Sequence, residues 1–290
     1  MVKIPTDADM LPPSDDHIFK TLLTHPDAKP VLINVISTVI ERPVVDVLVR
    51  NTELPAMDTD EKAERLDVNC VINGGDQVNV EMQASRIEEI AQDHMSFKNK
   101  SVYYLTDLHS SQSSKGVKYH NFVRTYQATF CTYTVLPALP DFVNRFSLRT
   151  PDGEEFCDQL NMIIIELSKL NDTLKKPVKG LSPLEMWSLF FQFAPDLKYR
   201  NLINDIISYK KEIGMATALL MEISRDEQER ARFRSRRMFE TDVTSNLLTA
   251  EARGEAKKAV EVAKKLKAVG VDISIIVNST GLTADEIQRL

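Results

Sequence analysis

The residues whose types and spacing could do chemistry lie in two short alternating segments, residues 66–72 and 78–83. Alternate side chains of a strand point to opposite faces, so each segment presents one polar and one apolar face. The apolar set is Val68, Cys70, Ile72, Val78, Val80 and Met82, with Val71 as the exception to the alternation. The polar set is Asp67, Asn69, Gln77, Asn79, Glu81 and Gln83. Two carboxylates and an amide, Asp67, Glu81 and Gln83, are therefore candidates for a reactive site.

The relative position of these groups depends on the loop between the two segments, around Asn73-Gly74-Gly75-Asp76. The apolar sets share a face only if even-numbered residues pair with even-numbered residues. A two-residue Gly74-Gly75 turn breaks that match, because a slip of one residue moves every side chain to the other face. A three-residue loop of residues 73–75, with a glycine at positive φ, keeps the match. This register predicts Asp67 directly across from Glu81.

Cross-strand neighbours lie about 4.5–5.5 Å apart at Cβ, so the two carboxylates would repel and one would take up a proton. A divalent cation between them removes this conflict. Carboxylate oxygens suit Mg²⁺, which also accepts water and phosphate oxygens as ligands. Such an ion can activate water for attack on a phosphodiester. The alternative is a plain amphipathic hairpin with a solvated polar face.

Asp67, followed on the next strand by Glu81-Met82-Gln83, resembles the signature of the PD-(D/E)XK nucleases in the variant with Gln in place of Lys. More closely, the chain resembles the Rpn family of recombination-promoting, transposase-like nucleases. The segments that carry this resemblance over most of the chain are Ser14–Lys20, Arg65–Val68, Val80–Gln83, Tyr103-Tyr104, Ser111-Gln112, Gly116, Tyr119, Ile165–Lys169, Gly281–Thr283 and Glu286-Ile287.

The resemblance implies that Asp67, Glu81 and the Met82 backbone carbonyl bind Mg²⁺, or Mn²⁺ in its place. It implies that Gln83 orients the attacking water or polarises the phosphate. Gln cannot act as a cationic Lys would, so charge stabilisation would come mainly from the metal.

Three further residues match supporting positions of the family. Asp16 and Lys20 fall in its N-terminal motif, but Asp16 is equally an N-cap candidate and Lys20 a solvated helix residue or a phosphate contact. Lys100 stands where the family often has Arg, a few residues before the paired tyrosines.

The order of helical and strand patterns predicts an α/β fold with a mixed central sheet flanked by helices, followed by a helical C-terminal extension. The resemblance implies that this fold is of the PD-(D/E)XK (restriction-endonuclease-like) type. The predicted strands are 44–49, 66–72, 78–83, 122–135, 142–149 and 159–168. The predicted helices begin after Ser14-Asp15-Asp16 and continue with 31–40, 86–110, 181–193, 201–222, 226–257, 258–269 and 274–280. The predicted divisions are a flexible arm (1–13), a nuclease domain (14–174), a helical extension (175–250) and a small helix-turn-helix-like tail (251–290).

Composition narrows the setting. The 290 residues carry a net charge of −6 with 43% hydrophobic residues, which excludes collagen-like and wholly disordered chains. The acidic balance argues against a broad nucleic-acid coat or a membrane-surface protein. No apolar segment is long enough to cross a membrane, and the first residues do not form a secretory signal. Three widely spaced cysteines indicate packing residues in a reducing compartment, and we expect the cytoplasm.

The hairpin and the resemblance together imply a function: we expect a metal-dependent DNA endonuclease connected with recombination or mobile DNA, as in the family that the chain resembles. One alternative is a nuclease-like protein that binds nucleic acid or protein and does not cut. Another is that the C-terminal helices are the main functional unit and serve oligomerisation, with a homodimer favoured. The arginine-rich stretch 225–237 is either a track for phosphates or a self-paired helix face.

Overall fold

A computed structural model describes residues 2–50, 67–84, 94–113 and 117–290 of the chain. The predicted loop at 51–61 and residues 86–93 of the predicted helix 86–110 lie outside these ranges.

Six strands form one mixed sheet in the order β1-β2-β3-β4-β6-β5. They are β1 (Val47–Val49), β2 (Val68–Ile72), β3 (Gln77–Gln83), β4 (Thr125–Cys131), β5 (Val143–Arg149) and β6 (Glu155–Glu166). The β1–β2, β2–β3 and β5–β6 pairs are antiparallel, whereas β3–β4 and β4–β6 are parallel. The predicted mixed sheet is therefore confirmed, with strand ends that differ by a few residues.

The β2–β3 hairpin has the register predicted from its alternation. Val68 pairs with Val80 and Cys70 with Val78, so even-numbered residues face even-numbered residues. The Ile72 N–H donates to the Asp76 carbonyl at 2.9 Å, which leaves residues 73–75 as the loop. Asn73 and Gly74 are at φ 49° and 77°. The loop thus provides the positive-φ glycine that this register needs.

The even-numbered face of the hairpin packs into the main hydrophobic core. Six helices accompany the sheet: α1 (Asp16–Leu23), α2 (Lys29–Ile40), α3 (His94–Ser110), α4 (Pro183–Phe193), α5 (Arg200–Tyr209) and α6 (Lys211–Arg225). All of them except α3 contribute to the core on the even-numbered face. Trp187 of α4 is fully buried there and donates its indole N–H to Asn34 at 2.9 Å. The predicted helix 201–222 is interrupted at Lys210, whose backbone is extended.

Helix α3 lies on the opposite, odd-numbered face, where it packs against β4 and β6. Its apolar residues Phe97, Tyr104, Leu105 and Leu108 are buried. The polar face of the hairpin is also not solvated: Asn69, Asn79 and Glu81 are 5%, 0% and 7% exposed. This excludes the alternative of a plain amphipathic hairpin with a solvated polar face.

The N-terminal residues differ from the flexible arm that composition predicted for 1–13. Ile4, Met10 and Leu11 are buried in the main core. Asn204 accepts a hydrogen bond from the Ile4 N–H at 2.8 Å and donates one to the Ile4 carbonyl at 3.1 Å. Met10 and Leu11 are adjacent and Ile4 lies six residues earlier, so the three show no helix or strand period, which is why the sequence pattern concealed them.

The domain boundaries also differ from those predicted at 175 and 251. Residues 1–233 form one compact unit and residues 234–290 a second. Segment 175–225 shares the core of the sheet, so no division falls near 175. A single helix, α7 (Glu227–Ala268), replaces the two helices predicted to meet at 257–258.

The second unit has its own small core. Ala263 of α7, Ile276 of α8 (Ile273–Thr280) and Ile287 of α9 (Ala284–Arg289) are fully buried against one another. Gly281 ends α8 at φ 71°, and Thr283 and Glu286 form the predicted capping box of α9. Over the part of the chain that the structure describes, no helix is long and apolar enough to span a membrane.

Replacing Gly74 with alanine should destabilise the fold by about 1–2 kcal/mol, because a side chain at positive φ is strained. The matched control is Gly75→Ala, since Gly75 is not at positive φ and an added Cβ meets only Val123 Cγ1 at 3.5 Å. The control should stay within about 0.5 kcal/mol of wild type. Urea unfolding measures both, and equal losses in the two variants would contradict the role assigned to Gly74.

Candidate active site

Asp67 and Glu81 come together just before β2 begins, beside β3. The ladder of the hairpin ends at Val68–Val80, and its register continued by one residue puts Asp67 opposite Glu81. Asp67 Oδ2 accepts a hydrogen bond from the Met82 N–H at 3.0 Å. Asp67 thereby continues the pairing with β3 through its side chain.

Burial makes both carboxyls hard to ionise. Burial and the nearby Asp67 charge together raise the pKa of Glu81 to about 7, against the opposing effects of Lys100, Asn79 and Gln127. Burial and the Asp16 charge together raise the pKa of Asp67 to about 6, against the opposing effect of the Met82 N–H. The Asp67 charge therefore disfavours the ionisation of Glu81.

The Met82 carbonyl lies on the same side of β3 as Asp67. The N–H and C=O of one strand residue point toward the same neighbouring strand, and the Met82 N–H points to Asp67. The next residue, Gln83, directs its carbonyl to Thr132 beyond β4. Beside the N-terminal end of β2, the chain thus offers two carboxylates and one backbone carbonyl.

This donor set fits Mg²⁺ or Mn²⁺. Such ions prefer oxygen ligands, and Mg²⁺ often takes only one or two carboxylates and keeps several waters. Among residues 2–50, 67–84, 94–113 and 117–290, no group of three or more His, Cys, Asp or Glu side chains could hold a metal ion. A site here would therefore depend on Asp67, Glu81, the Met82 carbonyl and non-protein ligands.

Gln83 and Lys100 meet at the edge of the carboxylate pair. Lys100 Nζ of α3 donates to Gln83 Oε1 at 3.4 Å and lies 5.4 Å from the centroid of the Tyr104 ring. The Lys100 charge also favours the ionised forms of Asp67 and Glu81. Residue 83 is Gln where the usual signature has Lys, and Lys100 on α3 places a positive charge beside it instead.

Asp16 and Lys20 lie one turn apart on α1, and both act on the pKa of Asp67. The N-cap of α1 is Asp15, whose carboxylate accepts from the His17 and Ile18 N–H groups. The reading of Asp16 as the N-cap is therefore wrong: Asp16 is the first helical residue. The Asp16 charge raises the pKa of Asp67 and the Lys20 charge lowers it, which puts both residues in the electrostatic surroundings of the carboxylates.

Two buried amides contact the site and were not singled out from the sequence. Asn79 Nδ2 donates to Glu81 Oε1 at 3.0 Å and to Gln127 Oε1 at 2.9 Å. The signal that could have found them is the second polar alternation, Thr125, Gln127 and Thr129 on β4. Placing Gln127 beside Asn79, and so close to Glu81, requires the parallel register of β3 and β4. No connecting turn specifies that register.

The arginine-rich stretch is at least partly self-paired. Arg230 Nη1 lies 2.7 Å from Asp9 Oδ2, and Arg232 Nη1 lies 2.7 Å from Glu229 Oε1. Glu229 also pairs with His17 at 2.7 Å, so His17 contacts α7. The three cysteines are free thiols, and Cys70 and Cys131 are buried.

Without metal, wild type should lose stability relative to Glu81→Gln as the pH rises from 5 to 8. The folded-state pKa of Glu81, about 7, exceeds the value of about 4 for an unfolded chain. The folded protein therefore retains a proton that the unfolded chain releases, and the associated stability is full below pH 4 and lost as the pH passes about 7. Thermal unfolding in EDTA should show the variant melting several degrees above wild type at pH 8 and close to it at pH 5.

Glu155→Gln is the control, because Glu155 is an exposed partner of Arg149. Its melting temperature should follow wild type at both pH values. A gap between Glu81→Gln and wild type that does not change with pH would contradict the burial of an ionisable Glu81.

Comparison with known proteins identifies a protein family for this chain. The model of the PD-(D/E)XK nuclease family transposase matches residues 13–250, which include the sheet, the carboxylate pair and most of α7. No curated protein and no solved structure matches the chain. The family match agrees with the mixed sheet, its flanking helices and the helical C-terminal region that follows. The chain therefore belongs to the PD-(D/E)XK nuclease family of transposases.

Proposed function

We propose that this protein is a metal-dependent DNA endonuclease that hydrolyses phosphodiester bonds and acts in recombination or on mobile DNA. The observation that carries the proposal is the pairing of Asp67 and Glu81 on a buried face, with Gln83 and Lys100 at its edge. Two carboxylates with raised pKa values and an adjacent lysine are an expensive arrangement for a structural role. The same arrangement suits a cation and a phosphate.

Each residue has a defined part in this proposal. Asp67, Glu81 and the Met82 carbonyl would hold Mg²⁺ or Mn²⁺. When bound, the ion would offset the two negative charges, polarise the phosphate and favour deprotonation of water. Asp67 is oriented for this by the Met82 N–H, at 3.0 Å from Oδ2.

Gln83 and Lys100 divide the work that a single lysine does in the usual signature. The Gln83 amide can orient water or donate to a phosphate oxygen without adding charge. The ammonium group of Lys100, held against Gln83 and the Tyr104 ring, supplies a positive charge for the phosphate. Asp16 and Lys20 would tune the charge at Asp67 from α1.

The setting of this activity is part of the proposal. DNA is the substrate, and we place the protein in the cytoplasm because its cysteines are unpaired. We also propose a homodimer, since Met238, Phe239 and Leu248 on α7 are exposed apolar side chains.

Cleavage of supercoiled plasmid with Mg²⁺ tests the central claim. Asp67→Ala and Glu81→Ala should each reduce the cleavage rate by more than the roughly 10–100-fold typical of residues outside the metal's own ligand set. Equal cleavage by wild type and both variants would refute the assignment. DNA binding without cleavage in both Mg²⁺ and Mn²⁺ would instead establish the non-catalytic alternative.

Lys100→Met should reduce the cleavage rate by about 10–100-fold, because it removes the positive charge beside Gln83 while keeping most of the side-chain volume. Lys98→Met is the matched control, since Lys98 lies on the same helix and is exposed. Single-turnover kinetics on a short duplex separate the two variants. Equal rates would show that the Lys100 charge has no part in the reaction.

A further inference from the structure

Behind Glu81, on the side away from Asp67, lies a pair of buried amides. Asn79 and Gln127 occupy facing positions in the parallel β3–β4 ladder, and both are 0% exposed. Asn79 Nδ2 donates to Glu81 Oε1 at 3.0 Å and to Gln127 Oε1 at 2.9 Å. Gln127 Nε2 in turn donates to Thr129 Oγ1 at 3.3 Å. A chain of hydrogen bonds therefore joins Glu81 on β3 to Gln127 and Thr129 on β4.

The contacts determine how Asn79 is oriented. Both partners of its Nδ2 atom are oxygens, so a flipped amide would place Oδ1 against the Glu81 carboxylate and the Gln127 carbonyl oxygen. The amide is thus fixed with its two N–H groups directed at Glu81 and Gln127.

Stability alone does not account for this pair. Asn79 Oδ1 is buried and has no hydrogen-bond partner among the described residues, and leaving a buried acceptor unsatisfied is costly. Apolar side chains of similar shape at positions 79 and 127 would avoid that cost, as they do on the even-numbered face. We therefore explain the two amides by the hydrogen bond that Asn79 makes with Glu81, and not by a gain in stability.

We propose that Asn79 and Gln127 are positioning residues, which hold the Glu81 carboxylate toward the N-terminal end of β2, beside Asp67, for a divalent cation. Neutral donors suit this task, because a lysine or arginine in their place would pair with Glu81 and neutralise the charge that the cation needs. This inference rests on the proposed function of Asp67 and Glu81 as ligands.

Near-isosteric apolar variants test the inference in the full-length chain. Asn79→Leu and Gln127→Met remove the hydrogen bonds and keep the volume. The matched control is Gln77→Met: Gln77 lies on the same face of β3, is buried, and also has an unpartnered amide oxygen, but it has no described contact with Glu81. All three variants remove a buried amide, so any general effect on packing is shared.

The primary measurement is Mn²⁺ binding to the DNA-free protein by isothermal titration calorimetry. Asn79→Leu and Gln127→Met should each weaken Mn²⁺ binding by about 10–100-fold, the usual effect of losing a partner behind a metal ligand. Gln77→Met should bind Mn²⁺ as wild type does. In cleavage assays at saturating metal, the two positioning variants should lower kcat and leave KM for DNA unchanged, which a loss of packing alone would not do.

Glu81→Ala separates failure of the inference from failure of the proposed function. If Glu81→Ala weakens Mn²⁺ binding but Asn79→Leu and Gln127→Met do not, the positioning role is overturned and the metal site stands. If wild type does not bind Mn²⁺, or binds it as well as Glu81→Ala does, both are overturned. If Asn79→Leu does not fold, Asn79→Ser and Gln127→Met decide the question.

Discussion

The pairing register of the β2–β3 hairpin is the constraint on which the rest of the molecule depends. A slip of one residue would move Asp67 and Glu81 to opposite faces and turn the apolar side chains of one of the two strands out of the core. The register is fixed by one extra loop residue and by Gly74 at φ 77°. The same short loop therefore decides both the main core and the distance between the carboxylates.

Burial of that polar face determines the electrostatics of the two acids. The odd-numbered side chains of Asn79, Glu81, Gln127 and Thr129 on β3 and β4 are removed from water, and helix α3 packs on the same face against β4 and β6. In such surroundings a charge interacts more strongly with its neighbours, and each unpaired polar atom costs more. The raised pKa values of Asp67 and Glu81 and the amides behind Glu81 are consequences of this one packing arrangement.

Local chemistry in the sequence was enough to predict the hairpin, its register and the candidate ligands, because alternation and loop length act over a few residues. The same reasoning did not reach Gln127, whose contact with Asn79 spans 48 positions and depends on a parallel pairing that no turn defines. It also missed the burial of Ile4, Met10 and Leu11, since a few apolar residues at irregular spacing show no period. The boundary near 175 failed because a change in composition does not reveal a shared core.

The parallel contact between Asn79 and Gln127 has a consequence for folding. The two carboxylates are brought together by closing a three-residue loop, whereas the amides behind Glu81 meet only when a loop of 48 positions closes. Loop-closure entropy grows with length, and non-local pairings form more slowly. In the proposed function, tight cation binding would therefore require the β3–β4 pairing as well as the hairpin, so a bound ion would selectively stabilise the completed sheet.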